Sequence, residues 1–136
     1  VTVMEMGAQV DILPADVYFK SMAQAILASD ETIQKNPQLI QKLVRATLKG
    51  MKDIMADPKS AAVAYVAHVP THKGKEASIQ KMFEMYNQYV YANQKVPGTM
   101  DEARLGELQK FYVANGVVPT AAPLKELYTN QFVGGK

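Results

Sequence analysis

The sequence predicts an α/β chain that is mostly helical, with two or three short strands. Residues 9–13 (QVDIL) alternate between polar and apolar side chains, and residues 23–28 (AQAILA) form a short apolar run that ends at a polar stop. Both segments have the length and pattern of strands. From Ser29 onward the apolar residues recur at three-and-four spacing, which is typical of amphipathic helices. Two strands therefore precede an almost continuous series of helices.

The composition excludes several classes of protein. The chain has 136 residues, no cysteine and a net charge of +2. Disulfides, thiol nucleophiles and cysteine metal sites are thereby excluded. No stretch approaches the roughly 18 consecutive apolar residues that predict a transmembrane helix. The basic residues are scattered along the chain, whereas a nucleic-acid binder gathers them on one face, so no nucleic-acid partner is expected. No secretory signal is visible at residues 1–10, which lack a basic start.

A long amphipathic helix follows Pro37, a residue that the first turn of a helix tolerates. Its apolar side chains repeat over about five turns; they are Leu39, Ile40, Leu43, Val44, Leu48, Met51 and Met55. Asp57 then supplies a cap for a second helix that starts at Pro58. Further helices are predicted at Gly74–Gln94 and Asp101–Ala114, with a short helical turn at Leu124–Tyr128.

Local signals also mark where helices begin and end. Gly7 is expected to terminate a first short segment, and Ser29 to cap the helix that contains Thr32. Asn115 and Gly116 are expected to end the helix that begins at Asp101.

The two predicted strands lack partners. Two strands of about five residues do not make a stable sheet, because their backbone groups need neighbours. We therefore expect the remaining strands to belong to a larger protein of which this chain is one piece. A homodimer, in which two copies complete each other's sheet, is the alternative.

Two histidines have the spacing of metal ligands on one helical turn, since His68 and His72 are four residues apart. Pro70 falls between them and breaks that turn. We interpret both as loop histidines and predict no metal site. The chain also shows no elbow glycine pattern around a serine and no glycine-rich phosphate loop, so no catalytic residue is predicted. The tyrosines at positions 86, 89 and 91 are interpreted as a packing seam between helices.

The segment 18–21 (YFKS) is the candidate ligand site. It lies between the two predicted strands, and binding groups on α/β scaffolds concentrate in loops at strand ends. The hydroxyls of Tyr18 and Ser21, with the amine of Lys20, are suited to hold an anionic small ligand. Tyr18, Phe19 and Ser21 are the predicted binding residues; an exposed crossover without a ligand is the alternative.

The segment 26–62 (ILASDETIQKNPQLIQKLVRATLKGMKDIMADPKSAA) resembles the C-terminal part of ABC-transporter solute-binding proteins of the nitrate/sulfonate/taurine type. That family is related to the thiamine-pyrimidine precursor proteins. The matching features are a strand with a serine cap, an Asn-Pro pair, an Arg-Ala pair and an Asp-Pro break followed by alanines; here they are Ile26–Ser29, Asn36-Pro37, Arg45-Ala46, Asp57-Pro58 and Ala61-Ala62. The later segment Leu108–Val133 is similar to the closing helix, glycine turn and terminal Tyr-Thr-Asn-x-Phe of the family.

The resemblance implies a periplasmic-binding-protein fold of two α/β lobes that close on a small molecule. Residues 1–28 would then hold the end of the second lobe and the crossover strands, and residues 29–136 the helical C-terminal part of the first lobe. The implied function is capture of nitrate, a sulfonate, a pyrimidine or a similar solute for an ABC permease, without catalysis or cofactor. The implied location is the periplasm, or outside the cell on a lipid anchor.

Two other classes of function stay open from the residues. One is an enzyme like the pyrimidine-precursor synthases, whose chemistry needs a histidine and iron. The other is a stand-alone helical interaction module.

Overall fold

The computed structural model describes residues 1–14, 17–18, 22, 24–92 and 94–134. Contacts within the chain divide it into two compact units. The first unit comprises Val1–Ile12 and Ala46–Pro97, and the second comprises Leu13–Arg45 and Gly98–Lys136. The predicted lobe boundary after residue 28 concerns a larger protein and stays a prediction.

The described residues are mostly helical, as the sequence predicted. The α-helices are α1 (Thr2–Glu5), α2 (Asp30–Lys35), α3 (Pro37–Ala56), α4 (Pro58–His68), α5 (Glu76–Tyr86), α6 (Glu102–Ala114) and α7 (Leu124–Leu127). A 3₁₀ turn at Pro70–His72 follows α4, and a π-helical turn at Asn87–Tyr91 continues α5. The predicted helix over residues 74–94 therefore forms, but its last third has the wider π geometry.

The predicted strands are wrong for the part of the chain that the structure describes. Residues 9–13 and 24–28 have no regular secondary structure, and no described residue belongs to a strand. A strand is held by hydrogen bonds to a neighbouring strand, and an apolar run supplies only the side chains. Without a paired neighbour, both segments stay irregular.

Side-chain caps fix the starts of the helices. The Ser29 hydroxyl accepts a hydrogen bond from the Thr32 N–H at 3.2 Å. Asp57 accepts from the Ser60 N–H at 3.0 Å and from the Ser60 hydroxyl at 2.6 Å, and Asp101 caps α6 through the same kind of bond. The hydroxyl and backbone bonds from Ser60 stabilise the carboxylate and hold the pKa of Asp57 below its ordinary value. These caps confirm the predicted helix starts.

The first unit is built on the packing of α4 against α5. Its buried core consists of Ala62, Val66, Ile79 and Phe83. Ala62 is only 1% exposed, and a residue with so small a side chain at the contact lets the two helices approach closely. Ile54 from α3 and Met82 from α5 pack against this core. The helix predicted to start at Pro58 therefore supplies two of the four core residues, Ala62 and Val66.

The second unit places α6 and α7 together and buries Ile40, Leu108 and Phe132. Leu124 of α7 lies directly over α6 at Gly106, where an added Cβ would come within 3.3 Å of a Leu124 methyl group. Glycine at this position therefore allows the close approach of the two helices.

Side-chain amides fasten the irregular C-terminal segment of the second unit. Gln109 donates to the Ala122 carbonyl oxygen and accepts from the Ala122 N–H, both at 3.0 Å. Gln41 donates to the Phe132 carbonyl oxygen at 3.2 Å. Each of these amides forms hydrogen bonds with backbone groups of a segment that is not paired with a strand among the described residues.

The apolar stripe predicted for α3 is only partly covered. Ile40 is buried, whereas Leu39 is 60% exposed and Leu43 is 48% exposed. The helix itself is confirmed over its full predicted length. Amphipathic spacing predicted the helix but did not say which of its apolar residues meet a neighbour.

Candidate functional site

Of the three predicted ligand residues, only Tyr18 lies among the residues that the structure describes. Tyr18 is described and is 75% exposed. Phe19 and Ser21 lie outside the described residues. The assignment of these residues therefore stays a prediction.

An aromatic cluster in the first unit is the best-formed candidate that the sequence did not single out. The ring of Tyr65 stacks on the His72 ring with centroids 5.5 Å apart and an angle of 25° between the planes. The edge of Phe83 meets the same tyrosine at 5.9 Å and 83°. Offset stacks and edge-to-face pairs are the favoured geometries of aromatic rings. We call Tyr65, His72 and Phe83 the Tyr65 cluster.

The helix break predicted at Pro70 positions the Tyr65 cluster. Helix α4 ends at His68, and the 3₁₀ turn that begins at Pro70 turns the chain so that His72 returns over α4. The Nδ1 atom of His72 is shielded from solvent and has no hydrogen-bond partner among the residues that the structure describes. Tyr65 remains 37% exposed, so the cluster is a partly open aromatic surface rather than a closed pocket.

The two histidines do not share a helical turn. His68 lies on the last turn of α4, with its Nδ1 2.9 Å from the Ala64 carbonyl oxygen, while His72 belongs to the following 3₁₀ turn. Within the described ranges, no three side chains of the metal-ligating types lie together. The predicted effect of Pro70 on the spacing of the two histidines is confirmed.

A second aromatic pair arises from the π-helical turn. The rings of Tyr86 and Tyr91 are nearly parallel, 5.9 Å apart at 16°. The Ala92 N–H bonds to the Asn87 carbonyl five residues back, and this wider turn places residues 86 and 91 side by side. Burial and the neighbouring Tyr86 raise the pKa of Tyr91. Tyr89, the third predicted member, is 46% exposed.

One buried polar group lies beside this pair. The Asn87 amide donates to the Ile54 carbonyl oxygen at 3.0 Å, which ties the π-helical turn to α3. Its Oδ1 atom is buried and has no hydrogen-bond partner in the described part of the chain. We interpret the Asn87 amide as a structural link between the π-helical turn and α3 rather than as part of a ligand site.

The second unit has a shallow groove along α6. It is lined by Glu102, Ala103, Gly106, Glu107, Lys110 and Leu124. The groove is wide open, and ligand pockets enclose most of the surface of a bound small molecule. We interpret it as the seam between α6 and α7.

Comparison with known proteins finds a family that matches part of the chain. Residues 1–61 match the family described as "NMT1/THI5 like". The match covers less than half of the chain and supports the resemblance predicted from the segment 26–62.

The chain is also similar to a named protein over most of its length. It is 27% identical over 133 residues to the "Riboflavin-binding protein RibY" of Chloroflexus aurantiacus. The similarity covers 95% of this chain but 38% of that protein. The chain therefore spans well under half the length of this relative. No solved structure matches the chain.

Among the described residues, no helix combines the length and the apolar character needed to cross a bilayer.

Proposed function

We propose that the chain is the C-terminal portion of a solute-binding protein that captures a small molecule for an ABC importer. The observation that carries the proposal is the similarity to RibY, which extends over 95% of the chain. The match of residues 1–61 to the family supports it independently of that relative.

The proposed mechanism is binding by closure of two lobes. In the whole protein, residues 1–28 lead from the second lobe into the helical part of the first, as the resemblance implied. A ligand that makes more contacts in the closed form shifts the open–closed equilibrium toward it. Such a protein needs no catalytic group, so the proposed function is not enzymatic.

The proposed ligand is a planar organic ring compound of the flavin class. RibY is described as riboflavin-binding, and the predicted ligand segment begins with the aromatic residues Tyr18 and Phe19. Aromatic side chains stack on planar rings, and the Ser21 hydroxyl offers a hydrogen bond to a polar edge. Nitrate, sulfonates and pyrimidines are the other ligands to compare.

The proposed partner is the permease of an ABC importer, and the proposed location is the periplasm or the outer face of the cell membrane. Both are implied by the match of residues 1–61 to that family and by the proposed transport role. The absence of a large basic surface in the sequence pattern is consistent with a small-molecule ligand rather than a nucleic acid.

A ligand titration of the longer protein tests the proposal. Purified protein from the complete gene is mixed with riboflavin, and the quenching of flavin fluorescence is followed, with nitrate, taurine and a pyrimidine in parallel. At a ligand concentration of 100 times Kd, the stability should rise by about 2.7 kcal/mol. Thermal unfolding measures the same effect for ligands without fluorescence.

Matched variants assign the site. Tyr18→Ala should weaken binding, whereas Tyr89→Ala, which removes another exposed tyrosine, should not. The proposal fails if none of the ligands alters fluorescence or the thermal midpoint. Iron retained through purification, with a histidine needed to hold it, would favour the synthase-like enzyme instead.

A further inference from the structure

The C-terminal end of α6 carries an exposed Asn-Gly pair. The sequence contains five asparagines, and Asn115 alone is followed by a glycine. Asn115 and Gly116 are both exposed, and a Cβ added to Gly116 would meet no atom of the described residues within 4 Å. Because glycine has no side chain, its backbone N–H is the least hindered of any residue and its backbone rotates most freely. We call these two residues the Asn115 pair.

The Asn115 pair forms the C-terminal cap of α6. The Nδ2 atom of Asn115 donates to the Phe111 carbonyl oxygen at 2.8 Å, and its backbone N–H donates to the same oxygen at 3.1 Å. The Gly116 N–H donates to the Val113 carbonyl oxygen, also at 3.1 Å. Gly116 has a φ of 69°, a conformation that glycine adopts readily after a helix. The cap therefore depends on an amide group and on a glycine directly after it.

We propose that Asn115 is a site of spontaneous deamidation in the folded protein. Asparagine is one of the thermolabile residues. The Gly116 nitrogen attacks Cγ of Asn115 and forms a C–N bond, while the Cγ–Nδ2 bond breaks and the amide group leaves as ammonia with the proton of the Gly116 N–H. The product is a five-membered succinimide ring. Water then opens the ring at Cγ to give aspartate, or at the backbone carbonyl carbon to give isoaspartate.

The folded structure slows this reaction but does not block it. Asn115 has a ψ of 10°, which rotates the Gly116 nitrogen away from the side chain, so the ring closes only after the last turn of α6 opens. Opening breaks the hydrogen bonds to the carbonyls of Phe111 and Val113. These bonds lie at a helix end that is mostly exposed, and such ends open at a small cost in free energy.

The other asparagines lack a reactive neighbour and serve as internal controls. Asn36 precedes Pro37, and proline has no backbone N–H to attack the side chain. The remaining three asparagines precede glutamine, whose side chain hinders its backbone nitrogen; they are Asn87, Asn93 and Asn130.

Deamidation removes the cap that Asn115 provides. A carboxylate has no donor for the Phe111 carbonyl oxygen. It also places a negative charge at the C-terminal end of α6, where the helix dipole is already negative. Isoaspartate in addition lengthens the main chain between Val113 and Gly116, whose hydrogen bond closes the cap. The modification therefore loosens the end of α6.

Peptide mapping by mass spectrometry tests the site in the unsubstituted chain. The chain is incubated at mildly alkaline pH, folded or in urea, and is digested at acidic pH so that no further deamidation occurs. Asn115 should be the first asparagine to gain the mass of an amide-to-carboxyl change, and its rate in urea should be about tenfold higher than in the folded chain. Isoaspartate methyltransferase should label the same peptide.

Three outcomes of the mapping would overturn the proposal. One is an unchanged Asn115 in the folded chain after the unfolded chain has reacted completely. Another is faster reaction at a different asparagine. The third is an equal rate at Asn115 in the folded and unfolded chains, which would show that the cap does not restrain the reaction.

Substitutions test the effect on α6. Asn115→Asp mimics one product, and Asn115→Ala removes the amide without adding a charge. The thermal midpoint of Asn115→Asp should lie roughly 1–4 °C below that of Asn115→Ala, because the carboxylate opposes the helix dipole. Gln131→Glu adds the same charge to an exposed residue outside the helices and should lower the midpoint less. A midpoint for Asn115→Asp that equals that of Asn115→Ala or of Gln131→Glu would contradict the loosening.

Discussion

The side chain of Asn130 pairs with both backbone groups of Met100. The Met100 N–H donates to Asn130 Oδ1 at 2.8 Å, and the Asn130 Nδ2 donates to the Met100 carbonyl oxygen at 3.1 Å. A neighbouring strand would offer the same donor and acceptor to that residue. Asn130 therefore holds the C-terminal segment against the start of α6 where no strand pairing is present in the described residues.

Replacing Asn130 by alanine should destabilise the second unit. The change leaves the N–H and the carbonyl of Met100, which are partly buried, without their partner. Leaving a buried polar group unpaired costs about 1–3 kcal/mol. Urea unfolding measures the loss, and hydrogen exchange at the Met100 amide should become faster.

The neighbouring residue provides the control for Asn130→Ala. Gln131 is exposed, so Gln131→Ala should change the free energy of unfolding by less than about 0.5 kcal/mol. Similar unfolding curves for the two variants would show that the two hydrogen bonds of Asn130 add no more stability than the exposed side chain of Gln131.

Enlarging Ala62 should disrupt the packing of α4 against α5. Ala62 is 1% exposed and belongs to the core with Val66 and Phe83. Ala62→Leu adds three carbon atoms where there is no room, and overpacking of this kind costs about 1–3 kcal/mol. Ala67→Leu on the exposed side of α4 should change stability by less than about 0.5 kcal/mol. Thermal unfolding compares the two, and equal midpoints would contradict the assigned core.

The Tyr128–Glu102 hydrogen bond should make stability depend on pH in the alkaline range. The Tyr128 hydroxyl donates to Glu102 Oε2 at 3.0 Å, and this bond, the largest cause, raises the pKa of Tyr128 above 10.0. The protonated phenol is the form that is favoured in the folded state. The stabilisation of the folded state by this hydrogen bond is therefore complete below pH 10. It is lost as the pH rises through the raised pKa of Tyr128.

The pH dependence is isolated by comparison with Tyr128→Phe, which lacks the hydroxyl. The thermal midpoint of the unsubstituted chain should exceed that of the variant at neutral pH, and the difference should shrink above pH 10. Tyr91 also has a raised pKa and is present in both proteins, so its titration cancels. A difference that stays constant up to pH 12 would rule out the proposed linkage.

The functional residues were less predictable than the helices. The segment 18–21 was selected because it lies between two expected strands, and those strands are absent from the described residues. The Tyr65 cluster was missed because Tyr65 and His72 are seven residues apart across a helix break. The sequence signal for this cluster was Pro70, because it marks where the chain turns back. A proline does not predict which aromatic ring His72 will contact.

The sequence by itself determined the helices and their limits. Ser29, Asp57 and Asp101 cap the helices they were expected to cap, because a cap involves residues only three positions apart. Tertiary structure decided what lies against each helix: Ile40 is buried while its neighbour Leu39 is exposed, and Asn130 takes the place of a strand beside Met100. These outcomes depend on groups distant in the chain. The spacing of apolar residues along the chain shows which side of a helix can be buried. It does not show which other part of the protein packs against that side.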